Sequence, residues 1–269
     1  MLPTITAGII SYNEENLIEA CINGALKVAD YIVISDGLMN GTKVDKNQRS
    51  DICTGSTDNT RKIIDKWVSC YPNKIKKIYL DGLQIPEEKD LRNIQYFYSK
   101  SDYFLIIDAD EVWDDQAAMK LKSSISDFFD SYSISNRLFF GYPTHFLKTK
   151  HWRLFRADQD RFFCGNNEMT DMVHESFIDC NFFHYGYINK NKVKEKMDLY
   201  SGSHYSGCGP WWYQNVFIPF LNGTSVEDLL KINGDTLHPW GSIDRGFAKD
   251  EWGKLFIDKT IKHPPLVII

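Results

Sequence analysis

Apolar residues occupy the first 115 positions in short blocks that alternate between two spacings. Positions 4–11, 31–35, 76–80 and 103–107 are brief, rich in β-branched and aromatic residues, and predict four strands. Between them the spacing lengthens. Leu17, Ile18, Cys21, Ile22 and Ala25 make the stripe of a helix running from a cap at Asn13 to about residue 26. Ser56 predicts the N-cap of a second helix through Trp67, with Ile63, Ile64 and Trp67 inward, and 87–99 predicts a third. Strands alternating with helices imply right-handed βαβ crossovers, hence an α/β fold with a doubly wound, mainly parallel, Rossmann-like sheet.

Past residue 115 the pattern changes to short β-like pieces at 135–140 and 182–187, followed by helical stretches at 190–200 and 210–221. The chain therefore divides into a βαβ half at 1–115, a part at 116–200 that completes the sheet and walls a cleft, and a mostly helical, aromatic C-terminal extension at 201–269. A polar stretch at 38–55 is too long for a tight βα turn and reads as a lid or insertion.

Open α/β sheets bind ligands beyond the carboxyl ends of their strands. The polar residues there are Ser11, Tyr12 and Asn13 after the first strand, Asp36 and Gly37 after the second, and Asp108 and Asp110 after the fourth. The fourth is the sharpest signal. An apolar run reading as a strand buried on both faces ends in Asp108-Ala109-Asp110-Glu111, three carboxylates in four residues. Carboxylates on alternate residues can share a hard divalent cation whose other positions go to phosphate oxygens, which points to a metal-bound nucleotide. Solvated turn carboxylates are the plain alternative.

Composition narrows the class. With 43% hydrophobic residues in a 269-residue chain there is ample material for a core. The balance of 31 basic and 36 acidic residues, net −5, lacks the basic surface of a general nucleic-acid binder. The N-terminus does not read as a signal peptide, and no run approaches membrane-spanning length. Six scattered cysteines without a CxxC pair read as reduced thiols, and the expected location is cytoplasmic. Aromatic residues make up 14%, with Trp211, Trp212, Tyr213, Trp240 and Trp252 in the last third, placed for packing or for stacking on sugars and bases. The pairs His238-Pro239 and His263-Pro264 read as rigid corners.

Several segments in order resemble the family 2 glycosyltransferases of the GT-A fold. They are Ile9-Ile10-Ser11-Tyr12-Asn13-Glu14, Ile32-Val33-Ile34-Ser35-Asp36-Gly37, Ser56-Thr57-Asp58-Asn59-Thr60, Arg92-Asn93 and Asp108-Ala109-Asp110. Arg153-Leu154-Phe155-Arg156, Val173-His174-Glu175 and His184-Tyr185-Gly186-Tyr187 look like the second-half pattern of a bacterial branch. The likeness covers about residues 4–200, and 38–55 interrupts what the family usually runs straight from Asp-Gly into Ser-Thr-Asp.

The resemblance implies a nucleoside-diphosphate sugar donor, with UDP as the expected nucleotide, lying in the 1–115 half across Ser11, Asn13, Glu14 and Asp36 and reaching Asp108-Ala109. Asp36 would accept from a base imide N–H and Glu14 would hold ribose hydroxyls; an ordinary turn residue and an exposed carboxylate are the alternatives. Arg92 would reach the diphosphate or pair with Asp36 or Asp108, unless it makes a surface salt bridge. The resemblance also implies Mn²⁺ or Mg²⁺ on Asp110, with Asp108 shared between metal and ribose, and Glu111 supporting the turn. His184 or His174 would be a further metal ligand, or either a structural histidine. For an inverting transfer the base would be Glu175, with Asp171 in reserve. The acceptor class expected is a saccharide or lipid-linked sugar, with protein or modified nucleic acid also open. Lys43, Lys46 and Arg49, with Lys190, Lys192, Lys194 and Lys196, would make an anion-binding rim, or the last four a solvated helix face.

Two other classes compete. A haloacid-dehalogenase-type phosphohydrolase also ends an apolar strand in Asp-x-Asp, but on its first strand rather than its fourth. A non-catalytic nucleotide or glycan binder on the same scaffold would retain the fold without the chemistry.

Overall fold

The computed structural model describes residues 3–37, 53–85, 87–157, 160–165, 168–200, 208–233, 237 and 255–264. The expected elements 1–115 are present: β1 (Ile5–Ser11), α1 (Ile18–Val28), β2 (Tyr31–Asp36), α2 (Thr60–Cys70), β3 (Ile75–Tyr79), α3 (Glu88–Phe97) and β4 (Tyr103–Asp108). Two helix starts differ from the expected caps. Asn13 sits in the left-handed region at φ 51°, and its Oδ1 accepts from the Thr57 N–H at 2.8 Å, so α1 begins only at Ile18. Ser56 likewise turns its hydroxyl to the Asn13 N–H at 2.8 Å and to Asp36, and α2 begins four residues later.

Then follow β5 (Glu111–Val112), α4 (Asp115–Ser124), β6 (Ser131–Phe140), β7 (Tyr142–Arg156), β8 (Phe163–Gly165), β9 (Glu168–Met169), β10 (Glu175–Tyr187), α5 (Lys190–Tyr200) and, after shorter helices, β11 (Leu255–Ile257). The second half is thus built on three long strands where the sequence pattern suggested short pieces. β7 was hidden because its 15 residues lack a sustained alternation; His145, Lys148, Lys150 and His151 interrupt the apolar positions.

The main sheet has the order β3-β2-β1-β4-β7-β6-β10-β5, with β11 on the edge of β7. β3, β2, β1 and β4 are mutually parallel; β7 is antiparallel to β4 and β6, while β10 is parallel to β6. β4 is central, and its side chains alternate between two cores: Tyr103, Leu105 and Ile107 meet α1, α2 and α4, and Phe104 and Ile106 meet the α3 side. At Gly8, a Cβ would come within 2.4 Å of the Phe104 ring, so β1 crosses that ring only because residue 8 has no side chain. A separate cluster, including Val193, Met197, Trp212 and Phe217, packs α5 and the following helices against Leu138, Phe140 and Tyr187.

Register decides what shares the crevice. Ser11 is level with Asp36, and Ile10 with Asp108, so three strand ends converge. β10 starts level with Ser131 at Glu175 and reaches Leu138 at His184, which stands opposite Glu111 of β5. Since Ser131 pairs with Phe155, and Phe155 pairs with Phe104 near the start of β4, Glu175 lies at the opposite end of the sheet from Asp108.

Candidate active site

At the end of β4, Asp108 lies between two guanidinium groups. Arg92, from α3, approaches its Oδ1 at 2.7 Å, and Arg153, from β7, its Oδ2 at 2.9 Å. Arg92 is fully buried and also donates to the Gly8 carbonyl at 3.1 Å, so of the three partners open to it the structure selects Asp108, and it is not a surface salt bridge or a direct diphosphate contact. Burial alone would raise the Asp108 carboxyl, but Arg153 and Arg92 outweigh it and hold the group well below the usual carboxylate range. With both oxygens taken by arginine, Asp108 is not disposed as a metal ligand. Its side chain keeps an edge open to the crevice, 36% exposed. Arg153 opens the Arg-Leu-Phe-Arg segment, and only the pairing of β7 with β4 brings it to Asp108.

Glu111 is fully buried beneath this pair. It accepts from the Asp108 N–H at 3.1 Å and from Arg153, and burial pushes its carboxyl up to about 7 despite Arg153. Its role is to hold the turn and Arg153.

Asp110 faces the crevice from the next turn. The Tyr185 N–H donates to its carbonyl at 2.8 Å, fastening this turn to β10. Its Oδ1 stands 3.4 Å from His184 Nε2, yet both atoms are buried and neither makes a hydrogen bond. Directly above them is Gly186: a Cβ there would come within 2.9 Å of His184 Nε2 and 3.4 Å of Asp110 Oδ2. A carboxylate oxygen and an imidazole nitrogen, adjacent, without a hydrogen bond and kept clear by a glycine, fit a divalent cation. Among the described residues no three His, Cys, Asp or Glu side chains form a group able to hold such an ion alone. Asp110 and His184 would therefore contribute two positions, leaving the others to ligand and water. Neither Gly186 nor its spacing from His184 signalled this function in the sequence.

The third wall comes from α5. Lys192 Nζ lies 3.6 Å from Glu14 Oε1, and Lys196 Nζ lies 3.4 Å from Asp110 Oδ2. Glu14 is pushed up to about 7 by burial and by Asp110, with Lys192 opposing. Lys194 points the other way and pairs with Asp198. A merely solvated face for all four lysines is thus corrected: two of them enter the site.

Ser11, Asn13 and Asp36 form the floor on the β1–β2 side. Asp36 is fully buried: Oδ1 receives Ser11 Oγ at 3.2 Å and Ser56 Oγ, and Oδ2 receives the Ser56 N–H at 3.2 Å and Arg61 Nε at 2.6 Å. Four donors occupy its lone pairs, so in this arrangement Asp36 braces the loops instead of offering an acceptor to a base. Ala109 is buried in the turn, its N–H donating to the Ile10 carbonyl at 3.2 Å. It ties β4 to β1.

Three expected site residues are elsewhere. Glu175 and His174 are exposed at the start of β10, and Asp171 lies in the turn before it at φ 56°. From Glu175 to His184 the strand advances seven positions along its partner β6, from Ser131 to Leu138, because a bulge between Ile178 and Phe182 takes up the extra residues; that is on the order of 23 Å at ~3.3 Å per residue. Neither Glu175 nor Asp171 can take a proton from a nucleophile at Asp110. His174 instead faces Asp130 at 3.6 Å, which removes it as a competitor of His184 for the metal. His263 is a corner, linking the Tyr185 hydroxyl at 2.9 Å to the Pro143 carbonyl at 3.0 Å. Trp212 is buried and donates to the Leu237 carbonyl, while Trp211 is 45% exposed. Trp240, Trp252, His238, Lys43, Lys46, Arg49 and most of 38–55 lie outside the described residues.

The family model described as glycosyl transferase family 2 matches residues 52–185. No curated protein sequence matches the chain. Among solved structures, S. aureus TarS is similar at 13% identity with a TM-score of 0.45, over 84% of this chain and 44% of that one. The chain thus spans less than half the length of that protein. S. aureus TarS 1-349 in complex with UDP gives 12% identity and 0.46 over 86% and 79% of the two chains. A mannosyltransferase from Pyrobaculum calidifontis, in complex with GDP-Man and Mn²⁺, gives 12% and 0.46 over 82% and 70%.

Proposed function

The chain belongs to glycosyl transferase family 2, and on that premise we propose that it is a glycosyltransferase of GT-A type that moves a sugar from a UDP-linked donor to an acceptor hydroxyl, with inversion and with a divalent cation. The observation that carries this is the adjacent Asp110 Oδ1 and His184 Nε2 near the carboxyl end of β4, 3.4 Å apart, buried and without a hydrogen bond. A cation bound there would neutralise charge on the departing nucleoside diphosphate. The imidazole ligand favours Mn²⁺ over the all-oxygen shell that Mg²⁺ prefers.

The chain's own groups then divide the work. The 1–115 part receives the nucleotide, with Glu14 and the open edge of Asp108 facing the ribose; Arg92, Arg153 and Glu111 fix Asp108 so that it need not reorganise when the donor arrives. Asp36 and Ser11 shape the base pocket from behind, and backbone near Ser11 reads the base edge. Inversion and the choice of UDP rest on the family resemblance. The acceptor we propose is a saccharide or lipid-linked sugar. No helix among the described residues is long and apolar enough to cross a membrane, and free Cys21, Cys53, Cys70, Cys164 and Cys180 support a reducing, cytoplasmic setting. The phosphohydrolase alternative is set aside by the position of Asp108-Ala109-Asp110 at the end of the fourth strand.

Incubating the protein with UDP- and GDP-sugars and Mn²⁺, with Asp110→Ala alongside, tests the reading. Release of UDP by the wild type and its loss in the variant is expected. If no nucleotide sugar is bound or turned over, the proposal fails; proton coupling at the product's anomeric centre decides inversion.

A further inference from the structure

We propose that α5 is the diphosphate clamp of this site, with Lys192 and Lys196 as the side chains that grip the donor's phosphate oxygens. The inference rests on the nucleotide-sugar reading above. It begins from the helical period. Residues 192 and 196 lie one turn apart on one face, and Val193 and Met197, both fully buried in the C-terminal core, fix that helix's rotation. Lys192 and Lys196 are thereby aimed at the crevice and are 33% and 31% exposed, whereas Lys194 is 56% exposed and bound to Asp198.

Each inward lysine sits on a carboxylate of the site. Lys192 meets Glu14 and donates to the main-chain carbonyl of Asn13; Lys196 meets Asp110 and lies 5.6 Å from the centre of the Tyr187 ring. The two ammonium groups therefore border the crevice beside the Asp110 and His184 pair. The arginines are not available for this duty, because Arg92 and Arg153 are buried against Asp108 and Glu111. A cation taken up by Asp110 would compete with Lys196 for that carboxylate, and the diphosphate that shares the cation offers the ammonium group another anion. The lysines are flexible point charges that can follow this exchange. They also meet the charge that grows when the sugar leaves, since the free diphosphate is more negative than the donor's diester.

Isothermal titration of UDP, uridine and Mn²⁺ into wild type, Lys192→Met, Lys196→Met and Lys194→Met separates the outcomes. UDP affinity should fall at least about tenfold in each inward variant, with uridine within about twofold of wild type and Lys194→Met unchanged. Lys196→Arg, retaining the charge, should recover most of the UDP affinity. Mn²⁺ alone should bind Lys196→Met as well as or better than wild type, because a competitor for Asp110 is gone. Wild-type UDP affinity in both inward variants overturns the clamp while leaving the transferase reading intact. Parallel loss of uridine, Mn²⁺ and UDP also overturns it, as that marks a structural role. A wild-type protein that binds neither UDP nor GDP overturns both.

Discussion

The Arg153 guanidinium bridges Asp108 and Glu111, 2.9 Å from the Asp108 Oδ2 and in direct hydrogen-bond contact with Glu111 Oε1. It joins the end of β4 to β7, its antiparallel neighbour, under the site. Removing it strands a fully buried carboxyl and leaves Asp108 with Arg92 alone. Arg153→Met should cost about 3–5 kcal/mol, the range for breaking a buried pair on one side. Arg153→Lys should recover only part of this, since an ammonium cannot reproduce the planar fork. Urea denaturation of the three proteins is the measurement, and an unchanged midpoint in Arg153→Met would refute the bridge.

Gly186 stands over the two candidate metal ligands without a positive φ, so an alanine there meets no backbone penalty. Its methyl would instead enter the space at His184 Nε2. Gly186→Ala should fold with a near-normal melting temperature yet bind Mn²⁺ at least about tenfold more weakly, read by electron paramagnetic resonance. Retained Mn²⁺ affinity would place the ion elsewhere.

Glu175, Asp171 and His174 lie at the wrong end of β10 for chemistry at Asp110. Alanine at each should leave the rate of sugar transfer within about threefold of wild type, the modest effect expected of exposed positions away from the site. A loss of a hundredfold at Glu175 would mean that the acceptor reaches across the whole sheet.

The Glu111 carboxyl, raised to about 7 by burial, binds its proton more tightly folded than unfolded. Its contribution to stability is therefore full below the ordinary glutamate range and is lost as pH climbs through 7. Glu111→Gln removes this titration. The stability of the variant relative to wild type should rise between pH 5 and pH 8, followed by urea midpoints at each pH. A constant difference would show that Glu111 is already ionised at pH 5.

Gly24 faces the backbone of Trp113, where a Cβ would come within 2.6 Å of the Trp113 nitrogen and 2.7 Å of its carbonyl oxygen. Ala is the better helix former by roughly 1 kcal/mol, but rigid backbone cannot yield to its methyl. Gly24→Ala should lower stability by about 1–3 kcal/mol in thermal or chemical melts, the usual cost of overpacking. A stabilised variant would show that α1 can shift outward.

The strand and helix series of residues 1–115 was legible because each block carries its own period, and the same blocks place Asp108 and Asp110 at a strand end. β7 was not, because its charged and polar interruptions make sense only once its neighbours β4, β6 and β11 are known. His184 was legible as a candidate ligand, but its contest with His174 was not settled by sequence. Both histidines flank apolar strand residues; register alone separates them.

The sequence by itself determined the alternation of strands and helices, the cluster of carboxylates and the order of segments that marks the family, since these depend on local period and residue chemistry. Tertiary structure decided which charges meet. It sent Arg92 and Arg153 to Asp108, Lys192 and Lys196 into the crevice, and Glu175 to the far edge. The reason is physical: Coulomb energy and hydrogen bonding depend on separation in space, and strand register and helix rotation set that separation between residues far apart in sequence.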